Sequence, residues 1–191
     1  MKHLLSLLFL MLTVAAPAQE MKKRYPCWFT PSRRTVSSGI TAGLFIGEET
    51  RQRVNGLYLE LPGQGLAVIM LPGNPTVRYV DSLPACANQI NGVSLSLTGT
   101  LNAELALHGL AVNPMGSYYK KLRGVNITGI LGMGVEVKGI NVGLFANVCD
   151  RMNGLQIGLF NTARRLRGIQ IGLWNVNQKR KLPLVNWSFK G

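Results

Sequence analysis

The feature that most constrains this chain is a seven-residue phrase that occurs three times in its C-terminal third. Gly139–Phe145 (GINVGLF), Gly154–Phe160 (GLQIGLF) and Gly168–Trp174 (GIQIGLW) begin 15 and 14 residues apart. Such a spacing fits one coil, or one strand with its turn, and is too short for a domain. The sequence therefore predicts a repeat fold in which neighbouring units complete one another.

The repeat extends upstream through glycines that, apart from Gly39, each follow an apolar residue by two positions. These glycines stand at positions 39, 56, 92, 109, 124, 139, 154 and 168. The interval of 36 between positions 56 and 92 is about two units, so we expect a degenerate copy within 65–80. We predict a repeat domain over 38–181, degenerate before about residue 122 and regular over 122–181. A lead-in segment (19–37) precedes it, and a cap or edge segment (182–191) follows it.

Within each unit, apolar and polar residues alternate with the period of two that is typical of a β-strand with one buried face. Ile169, Ile171 and Leu173 share one face, and Gln170 shares the other with Trp174. The prediction is that the aliphatic face forms the core. Leu166 is out of phase with this aliphatic set, which predicts a bend at Arg167–Gly168, where glycine supplies unusual backbone angles.

Two arrangements of such strands are open: a parallel β-solenoid and an antiparallel meander such as an outer-membrane β-barrel. A barrel of that kind alternates short turns with longer loops. Here consecutive connections resemble one another, as Arg164–Arg167 resembles Asp150–Asn153. The predicted fold is all-β, a short-repeat β-solenoid with 14–17 residues per coil, and the meander or barrel is the alternative. Stacked coils would place Asn161 and Asn175 in one column.

The N-terminus has the pattern of a secretory signal. Lys2 and His3 precede an apolar run from Leu4 to Val14, and Ala16–Ala18 has an A-x-A pattern. The run is too short for a transmembrane helix, which needs roughly 20 residues. We predict a signal peptide at 1–18, export from the cell, and no transmembrane helix.

The exported chain would be strongly basic. Loss of Lys2 with the signal lowers the formal charge from +13 to +12. A predicted basic patch comprises Arg164, Arg165, Arg167, Lys179, Arg180 and Lys181. Export argues against nucleic acid as the partner, so we expect glycan, anionic lipid headgroups or another envelope protein.

Catalytic patterns are missing from the sequence. The exported chain has one histidine, His108, its acidic residues are scattered, and no Gly-x-Ser-x-Gly nucleophile motif occurs. Cys27, Cys86 and Cys149 form no C-x-x-C motif. We predict a non-enzymatic protein without metal or cofactor.

The predicted binding site is a strip of aromatic and amide residues on the face opposite the aliphatic one. Phe145, Phe160 and Trp174 occupy equivalent places in three units, with Gln156 and Gln170 beside them. Rings flanked by amides are suited to stacking on sugars or docking a partner.

The repeat resembles that of the bacterial surface repeat-containing proteins, an uncharacterised exported family with tandem Gly-aliphatic-Gln-aliphatic-Gly-Leu-x-Asn units. Residues 154–161 and 168–175 match this unit throughout, whereas Gly139 to Asn147 has an inserted residue and Asn141 in place of Gln. The resemblance implies the surface, outer membrane or periplasm of a bacterium, and carries no enzymatic activity. We therefore expect a non-enzymatic envelope repeat protein, with a small outer-membrane barrel as the alternative.

Overall fold

The chain winds into a parallel β-solenoid. The computed structural model describes residues 21–30, 33–47, 50–70 and 85–189. The strands are β1 (Lys22–Arg24), β2 (Cys27–Thr30), β3 (Thr35–Gly43), β4 (Arg53–Glu60), β5 (Asn88–Ser96), β6 (Leu101–Asn113), β7 (Gly116–Thr128), β8 (Leu131–Gly143), β9 (Ala146–Ile157), β10 (Phe160–Val176) and β11 (Lys181–Ser188). From β3 to β10, each strand pairs in parallel with the next. The predicted β-solenoid is confirmed, and the antiparallel meander or barrel is wrong.

The register places the repeated glycines directly on one another. Gly139 pairs with Gly154, which pairs with Gly168, and the same register continues upstream to Gly39. We call this set the bend glycines: Gly39, Gly56, Gly92, Gly109, Gly124, Gly139, Gly154 and Gly168. Residues are numbered below by their offset from the bend glycine of their own coil, so Leu166 is at −2 and Gln170 at +2.

The bend requires glycine for two reasons. The φ angle of Gly154 is 137°, a conformation that L side chains rarely adopt. A Cβ at this position would also lie 2.0 Å from the carbonyl oxygen of Gly139 in the preceding coil. A side chain would therefore strain its own backbone and separate the two coils.

An aliphatic column fills the interior beside the bend. The residues at −2 are at most 3% exposed: Val54, Ile90, Leu107, Leu122, Val137, Met152 and Leu166. These side chains form an apolar core of the coil. The consecutive buried residues Cys149 and Asp150 mark a second corner of the coil.

The long interval between Gly56 and Gly92 holds an insertion rather than a coil. β4 pairs directly with β5, with Gly56 opposite Gly92, so no coil lies between them. Residues 65–70 form a short 3₁₀ helix, and 71–84 lie outside the described residues. The prediction of a degenerate copy within 65–80 is wrong, because β4 and β5 are direct neighbours in the sheet.

The ends of the solenoid differ from its middle. Within the predicted lead-in segment (19–37), β1 and β2 both pair in parallel with β3, while residues 19 and 20 and the predicted signal (1–18) lie outside the described residues. The predicted cap segment (182–191) falls on β11, which pairs with β10 in the antiparallel direction. The reversal ends the parallel stack.

Removal of one coil should shorten the solenoid without unfolding it. Deletion of residues 154–167 joins Asn153 to Gly168, and the register partner of Asn153 is Arg167, so the join falls at equivalent points of two coils. We expect retained strand content by circular dichroism and a single cooperative thermal transition.

A deletion of half a coil provides the control. Removal of residues 154–160 alone would bring interior positions of β10 to the surface, so we expect aggregation or loss of the transition. Equal disruption by both deletions would contradict the stacking of equivalent coils.

Candidate functional site

The interior of the solenoid contains a ladder of side-chain amides at position +2. Gln170 Nε2 donates to Gln156 Oε1 at 2.8 Å, and Asn126 Nδ2 donates to Asn141 Oδ1 at 2.8 Å. Between these pairs, Asn141 and Gln156 both donate to Cys149 Sγ, at 3.8 and 3.3 Å. Buried amides are costly unless they are hydrogen-bonded, and the repeat supplies a partner in the next coil.

This ladder corrects the predicted binding strip. Gln156 and Gln170 are both 0% exposed, so their assignment to an exposed strip is wrong. The reason is an unbroken alternation: positions −2 and +2 have the same parity and both face inward. Leu166 is out of phase with Ile169 and Ile171, as predicted, and it is therefore in phase with Gln170 and shares the inner side with it. The sequence signal for this burial is the aliphatic residue at −2. Because −2 and +2 lie on the same side of the strand, a buried aliphatic residue at −2 indicates a buried amide at +2.

A second amide ladder runs parallel to the first. Asn147 Nδ2 donates to Asn161 Oδ1 at 2.9 Å, and Asn161 Nδ2 donates to Asn175 Oδ1 at 2.8 Å. Asn161 Nδ2 also contacts the carbonyl oxygen of Gly158 at 2.9 Å. The expected column at Asn161 and Asn175 is therefore present, and it ties each turn to the next.

The aliphatic residues that were predicted to form the core lie outside instead. Positions +1, +3 and +5 face outward, and Ile169, Ile171 and Leu173 are 36%, 42% and 57% exposed. We call the outward residues at these three positions the apolar face. Its members are Ile40, Leu57, Val93, Leu110, Val125, Ile140, Leu155 and Ile169 at +1; Ala42, Leu59, Leu95, Val112, Ile127, Val142, Ile157 and Ile171 at +3; and Leu44, Leu61, Leu97, Pro114, Gly129, Leu144, Leu159 and Leu173 at +5.

The apolar face continues onto β11 at the C-terminal end. Val185 pairs with Ile171 and Trp187 pairs with Ile169, so the +1 and +3 columns gain a further member each. A shallow depression at this end is lined by Val142, Ile157, Leu159, Ile171, Leu184 and Val185. No charged side chain occurs among the face positions, and the main-chain groups of adjoining coils pair in the parallel ladder.

The three aromatic residues of the predicted strip border the apolar face at position +6. Phe145, Phe160 and Trp174 are 53%, 44% and 46% exposed. The rings of Phe145 and Phe160 are 5.4 Å apart between centroids but tilted by 59°. They therefore provide exposed aromatic surface without forming a flat platform.

The opposite side of the bend is basic. The exposed residues Arg123, Lys138 and Arg167 occupy position −1, directly beside the apolar face, and we call them the basic rim. Lys138 also pairs with Glu136, with 2.6 Å between Nζ and Oε1. The prediction of a basic patch missed Arg123 and Lys138, because they are distant in sequence from the cluster after Asp150.

The residues of the predicted basic patch converge at the C-terminal end. Arg165 and Arg167 lie on β10, while Lys179 and Arg180 lie in the turn before β11, which Lys181 begins. Gln178 of that turn accepts a hydrogen bond from the main-chain nitrogen of Leu166 at 2.9 Å, which brings the two groups together. The Arg180 guanidinium lies 4.3 Å from the ring centroid of Trp187. Arg164 lies 3.9 Å from the buried carboxylate of Asp150.

A buried polar cluster occupies the interior of the N-terminal half. Glu60 is 0% exposed and accepts a hydrogen bond from Thr100, and burial raises its pKa to about 7. Burial likewise raises the pKa of the Tyr58 and Tyr119 phenols well above 10. The cluster has no access from solvent, so we interpret Glu60 as a structural group.

The remaining candidates for chemistry are also structural. Burial raises the pKa of the Cys149 thiol to about 12, so the thiol stays protonated and accepts amide hydrogen bonds. Partial burial and the charge of Arg123 lower the pKa of His108, whose Nδ1 lies 3.1 Å from both Gln89 and Asn91. Within the described ranges, no group of three or more His, Cys, Asp or Glu residues could hold a metal ion.

Comparison with known proteins yields no match among family models, curated proteins or solved structures. The resemblance to bacterial surface repeat-containing proteins therefore stays a prediction. Over the described part of the chain, no helix is long and apolar enough to cross a membrane.

Glu60 makes stability depend on pH. Its folded pKa of about 7 exceeds the ordinary 4.5, so the unfolded chain releases this proton first as pH rises. The free energy of unfolding should fall between about pH 4.5 and 7 and then level off. The gap of about 2.5 pH units, at about 1.4 kcal/mol each, is worth about 3 kcal/mol. We expect the free energy of unfolding of Glu60→Gln, relative to that of wild type, to rise by about this amount from pH 4 to pH 8. Urea unfolding at each pH measures it.

Glu136→Gln is a matched control, for which the change in stability relative to wild type with rising pH should have the opposite sign. Partial burial acts to raise the pKa of Glu136, but the hydrogen bond and charge of Lys138 lower it overall. This variant should lose stability relative to wild type as pH rises through the carboxyl range. The interpretation of Glu60 is contradicted if Glu60→Gln shows no relative gain at pH 8.

Proposed function

We propose that this protein is a non-enzymatic, exported component of a bacterial cell envelope, and that it docks on another envelope component through the apolar face. The signal-like N-terminus and the resemblance to surface repeat proteins support the location. The observation that carries the docking role is the outward aliphatic surface, which is uninterrupted by charge over all eight coils with a bend glycine. Soluble monomers rarely expose a continuous apolar surface without using it.

The solenoid acts in this proposal as a rigid scaffold. Parallel ladders and the two amide ladders fix the spacing of coils, so the side chains of the apolar face are held in a regular array. An array that is already ordered loses little conformational entropy when it binds. The apolar face therefore favours docking on an extended, apolar partner surface.

Glycan binding through the aromatic strip has less support. Sugar rings stack on exposed aromatic planes, with amides or carboxylates that bind their hydroxyls. Here the neighbouring amides Gln156 and Gln170 are committed to the interior ladder, and the Phe145 and Phe160 rings are tilted. We assign these aromatics to the border of the apolar face instead.

Replacement of three outward isoleucines should release the protein from the envelope. In Ile127→Thr/Ile157→Thr/Ile171→Thr, each residue stays β-branched, so strand propensity is kept. Each change removes about 1 kcal/mol of apolar transfer energy, which predicts about 100-fold weaker association. The measurement is the fraction of protein that sediments with envelopes from cells that express each variant.

The control introduces threonine on the other side of the bend. Ser38→Thr/Asn153→Thr alters position −1 of two coils without removing apolar surface, and it should sediment like wild type. Circular dichroism establishes that each variant is folded. The proposed function fails if the folded isoleucine variant sediments as completely as wild type.

A further inference from the structure

The apolar face is unusually uniform for a surface that recognises a protein. All 24 positions at +1, +3 and +5 carry apolar residues or glycine, and the main-chain groups at +1 and +3 lie in the parallel ladder. The side chains of this face offer a partner no hydrogen bonds and no charges. At +1 and +3, contact with hydrocarbon would leave the paired main-chain groups satisfied.

The size of the apolar face also bears on its occupant. Eight strands spaced about 4.8 Å apart, each contributing four residue steps of about 3.3 Å, give about 34 Å by about 13 Å. A second copy of this chain would bring the same strong positive charge to the contact, whereas an anionic membrane is complementary to that charge and can receive the whole face at once.

The borders of the apolar face match the interfacial region of a bilayer. Phe145, Phe160 and Trp174 line one border, and Trp187 extends the face on β11. Aromatic residues are enriched where hydrocarbon meets headgroups. The basic rim occupies the C-terminal half of the other border, where Arg123, Lys138 and Arg167 stand next to the outward residues at +1. Such cations are complementary to anionic headgroups.

We propose that the apolar face lies flat on the surface of an anionic lipid membrane. The aliphatic side chains enter the boundary between headgroups and acyl chains, and the basic rim contacts lipid phosphates. The chain binds from one side without spanning the bilayer. This inference rests on the proposed function, because it names the envelope component on which the face docks.

Sedimentation with lipid vesicles tests the proposal. The vesicles contain phosphatidylcholine alone or with one quarter phosphatidylglycerol, at about 0.1 M salt. The chain is prepared both complete and beginning at Gln19, because residues 1–18 are apolar enough to bind lipid themselves. We expect at least tenfold tighter binding to the anionic vesicles, and weaker binding as salt rises.

Two variants separate the apolar and ionic contributions. Ile127→Thr/Ile157→Thr/Ile171→Thr should lose about 100-fold on the anionic vesicles. Arg123→Gln/Lys138→Gln/Arg167→Gln should lose about 100-fold on anionic vesicles and nothing on neutral ones. The charge-preserving variant Arg123→Lys/Lys138→Arg/Arg167→Lys is the matched control and should bind like wild type.

A fluorescent label reports which side of the solenoid meets the lipid. In a Cys27→Ser/Cys86→Ser/Cys149→Ala background, a polarity-sensitive dye is attached at Leu159→Cys on the apolar face or at Thr162→Cys on another exposed side. Ala163 occupies the place equivalent to Cys149 in the next coil, so alanine fits there. Emission should shift to the blue on anionic vesicles for the label at position 159 only.

The outcomes distinguish this inference from the proposed function. The membrane proposal is overturned if the wild-type protein does not bind anionic vesicles. It is also overturned if the dye emission shifts to the blue for the label at position 162 but not for the label at position 159. If the isoleucine variant still loses envelope association in cells, docking on a protein stands in its place. If that variant keeps its envelope association, the proposed function itself is wrong.

Discussion

The stacking of bend glycines is the constraint on which the rest of the structure depends. Each one turns the chain with a positive φ and leaves room for the carbonyl oxygen of the coil before it. Because the glycines lie in register, every other position of the coil is also fixed in a column. The amide ladders, the aliphatic column and the apolar face are all consequences of that register.

The register reverses the usual distribution of polarity after the bend. Amides at +2 point inward, where those of β9 and β10 bond across coils, and aliphatic residues at +1 and +3 point outward. In an ordinary strand this arrangement would cost free energy in two ways, because amides are buried and hydrocarbon is exposed. The repeat removes the cost of burying amides, because each amide meets another from the adjacent coil. The exposed hydrocarbon is offset only by contact with something apolar, and this is why the apolar face carries the functional proposal.

The strands, the parallel stacking and the bend at Gly168 could be predicted from the sequence, because they follow from the period and from the similarity of consecutive connections. The direction of the faces could not be read from hydrophobicity alone. Ile169 and Ile171 are more apolar than Gln170, and the rule that apolar residues are buried pointed the wrong way. The parity that links Leu166 with Gln170 was the better guide. The insertion between Glu60 and Asn88 is about as long as one coil, so the spacing of the bend glycines alone could not distinguish it from a coil.

The candidate site was predictable only in part for the same reason. Phe145, Phe160 and Trp174 are exposed as expected, at the first position after the repeated leucine. Gln156 and Gln170 were assigned to the surface because amides usually are. Of the basic rim, only Arg167 was predicted, because Arg123 and Lys138 are distant from it in sequence and approach it only when coils stack.

The most direct test of the central claim is the accessibility of neighbouring residues on one strand. Ser94 at +2 is 0% exposed and Leu95 at +3 is 38% exposed. Ser94→Cys and Leu95→Cys are made separately in the background without native cysteines and treated with a hydrophilic maleimide under native conditions. The structure predicts rapid labelling at position 95 and labelling at position 94 only after unfolding. Rapid labelling at 94 with protection at 95 would place the aliphatic residues inside and contradict this account.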